Sequence, residues 1–328
     1  FGAGRGFSGE ALTAGSVGGN AEVNIEDGTM LGSVYGGGRK ASVGTLFTTP
    51  TDPYYGQLQE DDGTNIHGHI TVNISGGTIG NDQEDILVPH TKGGNVFGGS
   101  MGKLELQDGT INPLWPKMAV SKTTKVNISG NALIKSNVYG GGEFSMVRGD
   151  TYVTIGGVLG NDNKTITSTN SDAPTIKRDV YGGGYGSDDF NTHTEITAGG
   201  FNDVKYTFTP MQMAGIVCGD TYVNMKRGWV MKNVYGGGEL ATVGLIDFTK
   251  AVSNDDDPIE GKHADIVGSG SDEKIYGFGL SWPYKLDFIS HDGTNIGGTT
   301  NINVTGGRLG LTGKDFLGPY DPTTGNPV

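Results

Sequence analysis

The stretch Asn137-Val138-Tyr139-Gly140-Gly141-Gly142-Glu143 decides how this chain is read, because it returns as Asn233-Val234-Tyr235-Gly236-Gly237-Gly238-Glu239. Looser copies stand at Val34-Tyr35-Gly36-Gly37-Gly38, Asn95-Val96-Phe97-Gly98-Gly99 and Asp179-Val180-Tyr181-Gly182-Gly183-Gly184. One string met five times in a chain marks a repeat architecture. Two companion strings travel with it. Ala41-Ser42-Val43-Gly44, Ser145-Met146-Val147 and Ala241-Thr242-Val243-Gly244 follow it, each Val nine positions after the Val of the first string. The other companion reads Thr71-Val72-Asn73-Ile74-Ser75-Gly76-Gly77. It recurs around Val23-Asn24-Ile25, Val126-Asn127-Ile128, Val153-Thr154-Ile155, Val223-Asn224-Met225 and Ile302-Asn303-Val304.

Steps of nine, six and eleven positions separate these strings, from Val138 to Val147, Val147 to Val153 and Val223 to Val234. Together they make a shortest cycle of about 26 residues, within the range of solenoid repeats. Val-Asn-Ile alternates apolar, polar and apolar, which is the period of a strand, and no stretch keeps a helical period. Three short β strings per cycle, separated by Gly, predict an all-β fold: a right-handed parallel β-helix with successive coils about 4.8 Å apart. Val and Ile then stack inward as aliphatic ladders. Asn24, Asn73, Asn127, Asn224 and Asn303 stack as a ladder on the opposite face. Glycine at the corners supplies backbone conformations that a Cβ disfavours. A propeller blade needs about 40–45 residues and four strands, so the nine- and six-position steps are too tight for one.

Composition fits a thin core. Of 328 residues 60 are Gly, 12 are Pro and 34% are apolar, with no collagen period. The net charge of −13 argues against nucleic acid and anionic lipid as partners. One cysteine, Cys218, excludes an internal disulfide, and no apolar run is long enough to span a membrane. The whole chain, 1–328, reads as one β-solenoid segment interrupted by insertions at about 45–69, 103–119, 161–177, 201–214 and 245–296. The abrupt start at Phe1-Gly2-Ala3-Gly4 and the lack of a capping segment suggest part of a longer chain, since open solenoid ends expose strand edges.

Two groups of residues are candidates for binding. Tyr35, Phe97, Tyr139, Tyr181 and Tyr235 hold one repeat position, next to an inward Val, and so are expected to point outward as an aromatic stripe. Such a stripe could stack sugar rings or grip a partner; the alternative is that the rings stack on one another or fold over the Gly corner. Acidic loops carrying Asp82, Glu84 and Asp85, Asp188 and Asp189, and Asp255, Asp256 and Asp257 offer oxygen ligands for calcium, without matching an EF-hand loop. No other cofactor is implied, and no phosphate loop or His-Glu-X-X-His motif is present. His67 and His69 lie at strand spacing, a weak zinc signal. A glycan-cleaving β-helix would need carboxylates and a basic residue converging on one face. Only Arg148, Lys177, Arg178 and Arg227, near Asp150 and Asp179, are candidates for that.

The Val-Tyr-Gly-Gly-Gly and Thr-Val-Asn-Ile-Ser-Gly-Gly strings resemble those of large repetitive secreted or cell-surface proteins of Bacteroidetes-type bacteria. The resemblance covers the repeats, about half the chain, and brings no catalytic residues. It implies an extracellular or surface-exposed, adhesin-like β-solenoid. The expected function is therefore a non-enzymatic structural or adhesive segment that presents its loops to a surface glycan or protein partner. The alternatives are a glycan-active lyase or hydrolase and a viral or phage fibre segment.

Overall fold

The computed structural model describes residues 1–6, 12–49, 58–81, 93–104, 112, 118–187, 214–244 and 298–311, and the backbone alone at 194–197, 205–208, 265–267 and 274–276. The described residues hold strands and turns, with no helix.

The chain visits three parallel sheets in a fixed order. The first sheet holds Ala21–Ile25, His69–Ile74, Thr123–Ile128, Thr151–Ile155, Thr221–Met225 and Thr300–Val304, adjacent in that sequence order. The second holds Thr29–Met30, Thr78–Ile79, Leu133–Ile134, Thr175–Ile176, Trp229–Val230 and Arg308–Leu309. The third is the organising string itself: Val34–Tyr35, Val96–Phe97, Val138–Tyr139, Val180–Tyr181 and Val234–Tyr235. Two single-residue ladders continue each cycle. Arg5, Arg39, Met101, Glu143, Tyr185 and Glu239 bridge in series; Val43 donates to the Val120 carbonyl, and Ser121, Val147, Val217 and Val243 bridge onward. Val17 pairs with Val43, and Val217 with Val243, each one shortest cycle further along the chain, as the repeat arithmetic requires.

Register follows the strings residue by residue. Val23, Val72, Val126, Val153, Val223 and Ile302 are paired in series, as are Ile25, Ile74, Ile128, Ile155, Met225 and Val304. The buried members of both series join Ile79, Ile134, Val138 and Val180 in one aliphatic core, fully buried through its middle. The second-sheet strands are not among the strings read from the sequence. Thr175–Ile176 falls within the stretch read as an insertion over 161–177, yet it pairs with Leu133–Ile134 and Trp229–Val230.

Glycine does two different jobs. At the corner between the first and second sheets, Gly28, Gly77, Gly130, Gly156, Gly228 and Gly307 take positive φ, as expected of corner glycines. The glycines after each tyrosine do not. They allow close approach instead: a Cβ on Gly140 would lie 2.1 Å from the Gly182 carbonyl oxygen of the next cycle and 3.1 Å from Thr151 Cβ. Hydroxyls at the start of the first-sheet strands use those carbonyls, with Thr124 donating to Gly140, Thr151 to Gly182 and Thr221 to Gly236 within one cycle.

Gly140→Ala is expected to destabilise the fold by at least about 3 kcal/mol, because backbone and not a flexible side chain must move. Gly32→Ala, with open space around its Cβ and no positive φ, should stay within about 0.5 kcal/mol of wild type. Denaturant midpoints of the two variants check this.

Candidate functional site

The aromatic residues of the third sheet leave the aliphatic core, as their place next to an inward Val requires. They do not form an open stripe. Tyr35 and Phe97 stack at 4.8 Å between ring centroids, Phe97 and Tyr139 at 4.6 Å, Tyr139 and Tyr181 at 5.1 Å, and Tyr181 and Tyr235 at 4.9 Å. Phe1 extends the column onto Tyr35 at 4.5 Å. All these planes are within 11° of parallel. Tyr35, Phe97 and Tyr139 are buried, with Met101, Tyr181 and Tyr185 packed against them. Of the two arrangements the sequence allows, an open stripe or rings stacked on one another, the second is present: a spacing close to the strand separation lets each ring cover the next. Tyr235 alone of the five is exposed, at 44%.

Two carboxylates reach the column. The Tyr35 hydroxyl donates to Glu143 and the Tyr139 hydroxyl to Glu239, each from two cycles further on. Asn137 Nδ2 adds bonds to the Tyr139 hydroxyl at 2.8 Å and to Glu239 at 3.2 Å. Burial, then the neighbouring carboxylate, pushes both phenols well above the usual range. A second stacked pair, Tyr152 and Tyr222 at 4.9 Å, lies on the outer face of the first sheet, with hydroxyls directed at Asp150 and Asp220.

Several other polar side chains are engaged in ladders between successive cycles. Asn73 donates to Asn24 and Asn127 to Asn73, each at 2.9 Å, so the expected asparagine ladder forms across its first three members. Thr154 breaks it, and Asn127 Oδ1 accepts the Leu159 N–H instead. A further ladder precedes each Val of the third sheet, where Asn95, Asn137 and Asp179 each accept the backbone N–H of the equivalent residue one cycle on. Asp150 accepts from Asp220 N, and Asp220 from Thr299 N. Asp150 and Asp179 therefore serve the stack. Among the basic residues weighed beside them, Arg227 binds Asn170 and Arg148 binds Glu60. Lys177 and Arg178 flank Asp179, whose Oδ1 is taken by Asn233.

One titratable cluster is not legible as a unit in the sequence. Asp61 Oδ1 meets Lys122 Nζ at 2.5 Å, and its Oδ2 meets His69 Nε2 at 3.2 Å. His67 is buried, its Nδ1 accepting the Thr45 N–H at 3.1 Å, with Nε2 3.5 Å from Lys122 Nζ. Partial burial raises the Asp61 pKa, but Lys122, the His67 backbone N–H and His69 outweigh this and hold it at about 2. The sequence signal is limited to the His67/His69 spacing; Lys122 and Arg148 join from later cycles of the chain.

No family model, curated protein or solved structure matches the chain.

The eight acidic residues considered for calcium, Asp82, Glu84, Asp85, Asp188, Asp189, Asp255, Asp256 and Asp257, lie outside the described residues. Among the described residues no three His, Cys, Asp or Glu side chains converge as a metal site, and no helix is long and apolar enough to cross a membrane. Gly98-Gly99-Ser100-Met101-Gly102 has the letters of a nucleophile elbow. Ser100 is fully buried, however, and its Oγ accepts the Gly38 N–H and stays within the stack. Cys218 is buried, and desolvation pushes its thiol up to about 12, far from a reactive thiolate.

Because the folded-state phenols of Tyr35 and Tyr139 are raised above their unfolded value near 10, their contribution is fully present below pH ~10 and is lost as pH rises beyond it. Alkaline titration followed by phenolate absorbance should show these rings ionising only as the chain unfolds. Tyr139→Phe keeps the stacked ring, as Phe97 already does, but takes from Glu239 its phenol donor and leaves it Asn137 Nδ2. A loss of about 1–3 kcal/mol in denaturant unfolding is expected.

Proposed function

We propose that the chain is a non-enzymatic structural or adhesive segment of a secreted or surface-exposed protein, built as a closed right-handed β-helix that presents three of its loops along one edge. Closure is supported by the fixed visiting order of the three sheets and by the threonine hydroxyls that join the first sheet to the third within a cycle. Right-handedness follows from the near-universal hand of parallel crossovers.

The observation that carries the functional reading is where the long loops leave the stack. Arg39 to Val43, Glu143 to Val147 and Glu239 to Val243 are steps of four positions between the two bridged ladders. In the alternating cycles the same step is long and lengthens along the chain: Arg5 to Val17, Met101 to Ser121 and Tyr185 to Val217. Three insertions therefore leave the stack at one corner, two strand separations apart, or about 10 Å. A row of loops on one edge of a rigid support is the arrangement of a presenting scaffold. The ladder carboxylates and amides, by contrast, bond to their own copies, which suits a load-holding stack.

A glycan-array screen of the purified chain, with and without calcium and beside a depolymerisation assay on each hit, tests the reading. Binding without cleavage is the expected adhesive outcome. Deleting one long corner loop should then weaken binding and leave the unfolding transition in place. Cleavage of any bound glycan would overturn the proposal. Neither binding nor cleavage would reduce it to a structural spacer.

A further inference from the structure

Residues 58–68 run as a strap across the corner that follows Val43. The strap is anchored at both ends. Leu58 bridges Leu46, and Gln59 N donates to the Thr45 carbonyl at 2.8 Å. Arg148 Nη1 donates to the Leu58 carbonyl at 2.8 Å, and its Nη2 pairs with Glu60 at 2.7 Å. At the far end Asp61 joins Lys122 and His69, and the His67 ring accepts from Thr45 N. Beneath the strap lies a separate small apolar cluster: Leu46, Leu58 and Val120, with Met146 against it.

Histidine is the side chain that changes charge near neutrality, and of the two here, His67 and His69, His67 is the buried one. The residue is 4% exposed. Because Nδ1 accepts the Thr45 N–H, that nitrogen carries no proton, and the neutral ring has its proton on Nε2. The charged and titratable groups facing it are Lys122 at 3.5 Å from Nε2, Asp61 already bound to Lys122, His69 beyond Asp61, and Glu60 through its main chain. Protonating Nδ1 would set a donor against the Thr45 donor. It would also place a second cation beside Lys122, with one carboxylate left to serve both.

We propose that residues 58–67 form an acid-released strap: protonation of His67 breaks its bond to Thr45, drives the ring away from Lys122 and uncovers the apolar corner of Leu46, Leu58, Val120 and Met146. Burial, then Lys122, holds the folded imidazole below its ordinary value, with Asp61 opposing. The sign follows from linkage. The closed form has its full advantage above about pH 6.5, where a freed His67 is also neutral, and loses it as pH falls below that value. Asp61 remains ionised throughout this range.

Hydrogen exchange of the full chain at about pH 7.5 and about pH 5.5, corrected for intrinsic rates, tests the proposal. Protection of 58–68 should fall on acidification, by up to about tenfold per pH unit below the free imidazole value, while the central first-sheet strands hold theirs. In His67→Asn the amide oxygen can replace Nδ1 as the acceptor and does not titrate, so the strap should stay protected at both values. A wild-type strap equally protected at both, or an equal acid loss in His67→Asn, would overturn the proposal. Should the variant fail to close its strap at either pH, a ring titration of wild-type His67 by NMR decides: a value at or above the ordinary imidazole range overturns the proposal, and a depressed one supports it.

Discussion

Parallel strands stack about 4.8 Å apart, and in this chain that distance falls between identical positions of successive repeats. Each side chain must therefore tolerate a copy of itself directly above and below. Valine and isoleucine meet this by packing, and planar rings by stacking, as centroid separations of 4.5, 4.6, 4.8, 4.9 and 5.1 Å show. Asparagine meets it because one amide carries both a donor and an acceptor, so Asn24, Asn73 and Asn127 bond in series. Aspartate bonds through the backbone N–H of its neighbour, as Asp150 and Asp179 do. Glycine meets it where the chain itself is the neighbour, and the approach of Gly140 to the Gly182 carbonyl leaves no volume for a Cβ.

Breaks in the ladders show the same constraint. The Thr154 hydroxyl, buried without a hydrogen-bond partner among the described residues, does not take the place of the next asparagine amide, and the Asn127 oxygen is taken by Leu159 N–H from the short hairpin of Val158–Leu159 with Ile166–Thr167. The phenol ladder has a two-cycle solution of its own. Tyr35 and Tyr139 each reach a glutamate two cycles on, at Glu143 and Glu239, in the cycles with the four-position corner. Those corners place Lys40, Phe144 and Leu240 at φ of 56°, 54° and 55°, a left-handed conformation that costs such residues about 1–2 kcal/mol each. In the alternating cycles Gly6, Gly102 and Gly186 stand at that position without a positive φ. The structural unit is thus a pair of cycles: one has a tight, strained corner, and the other an open corner from which a loop departs.

What the sequence disclosed follows from what repeats. The Val-Asn-Ile and Val-Tyr-Gly strings named two of the three sheets and their register, because an in-register stack turns spatial neighbours into sequence copies. The second sheet escaped that reading because its members, from Thr29–Met30 to Arg308–Leu309, share a position and not a composition. A constant distance was the remaining signal, with Ile25 to Met30, Ile74 to Ile79 and Met225 to Val230 all five positions apart. The repeat places the aromatic residues outside the aliphatic core, and it leaves open whether their rings stand free or stack on one another. Alternation tells which way a side chain leaves the strand and says nothing of what covers it. The Asp61, His67, His69, Lys122 and Arg148 cluster repeats nowhere, and its members come together because the parallel stack brings distant cycles of the chain to one edge.

That contrast separates two kinds of polar residue in this chain. Ladder residues recur in the repeat and spend their hydrogen bonds along the stack axis, so losing one copy weakens a local step between otherwise similar neighbours. The strap's anchoring groups Glu60, Asp61 and His67 have no copies, although Asp62–Ile66 recurs at Asp292–Ile296, and they bond across the surface, from 58–68 to Thr45, Lys122 and Arg148. Their geometry gives no register to the stack, since Val43, Val120 and Val147 are already aligned by their own backbone bonds. The strap could open without unravelling the cycles beneath it, because its anchors are mostly side-chain bonds at one corner and the core is held by aliphatic ladders elsewhere. A thin repetitive core thereby supports non-repeating chemistry at its edges, and it is at those edges that this chain can differ from a plain stack of coils.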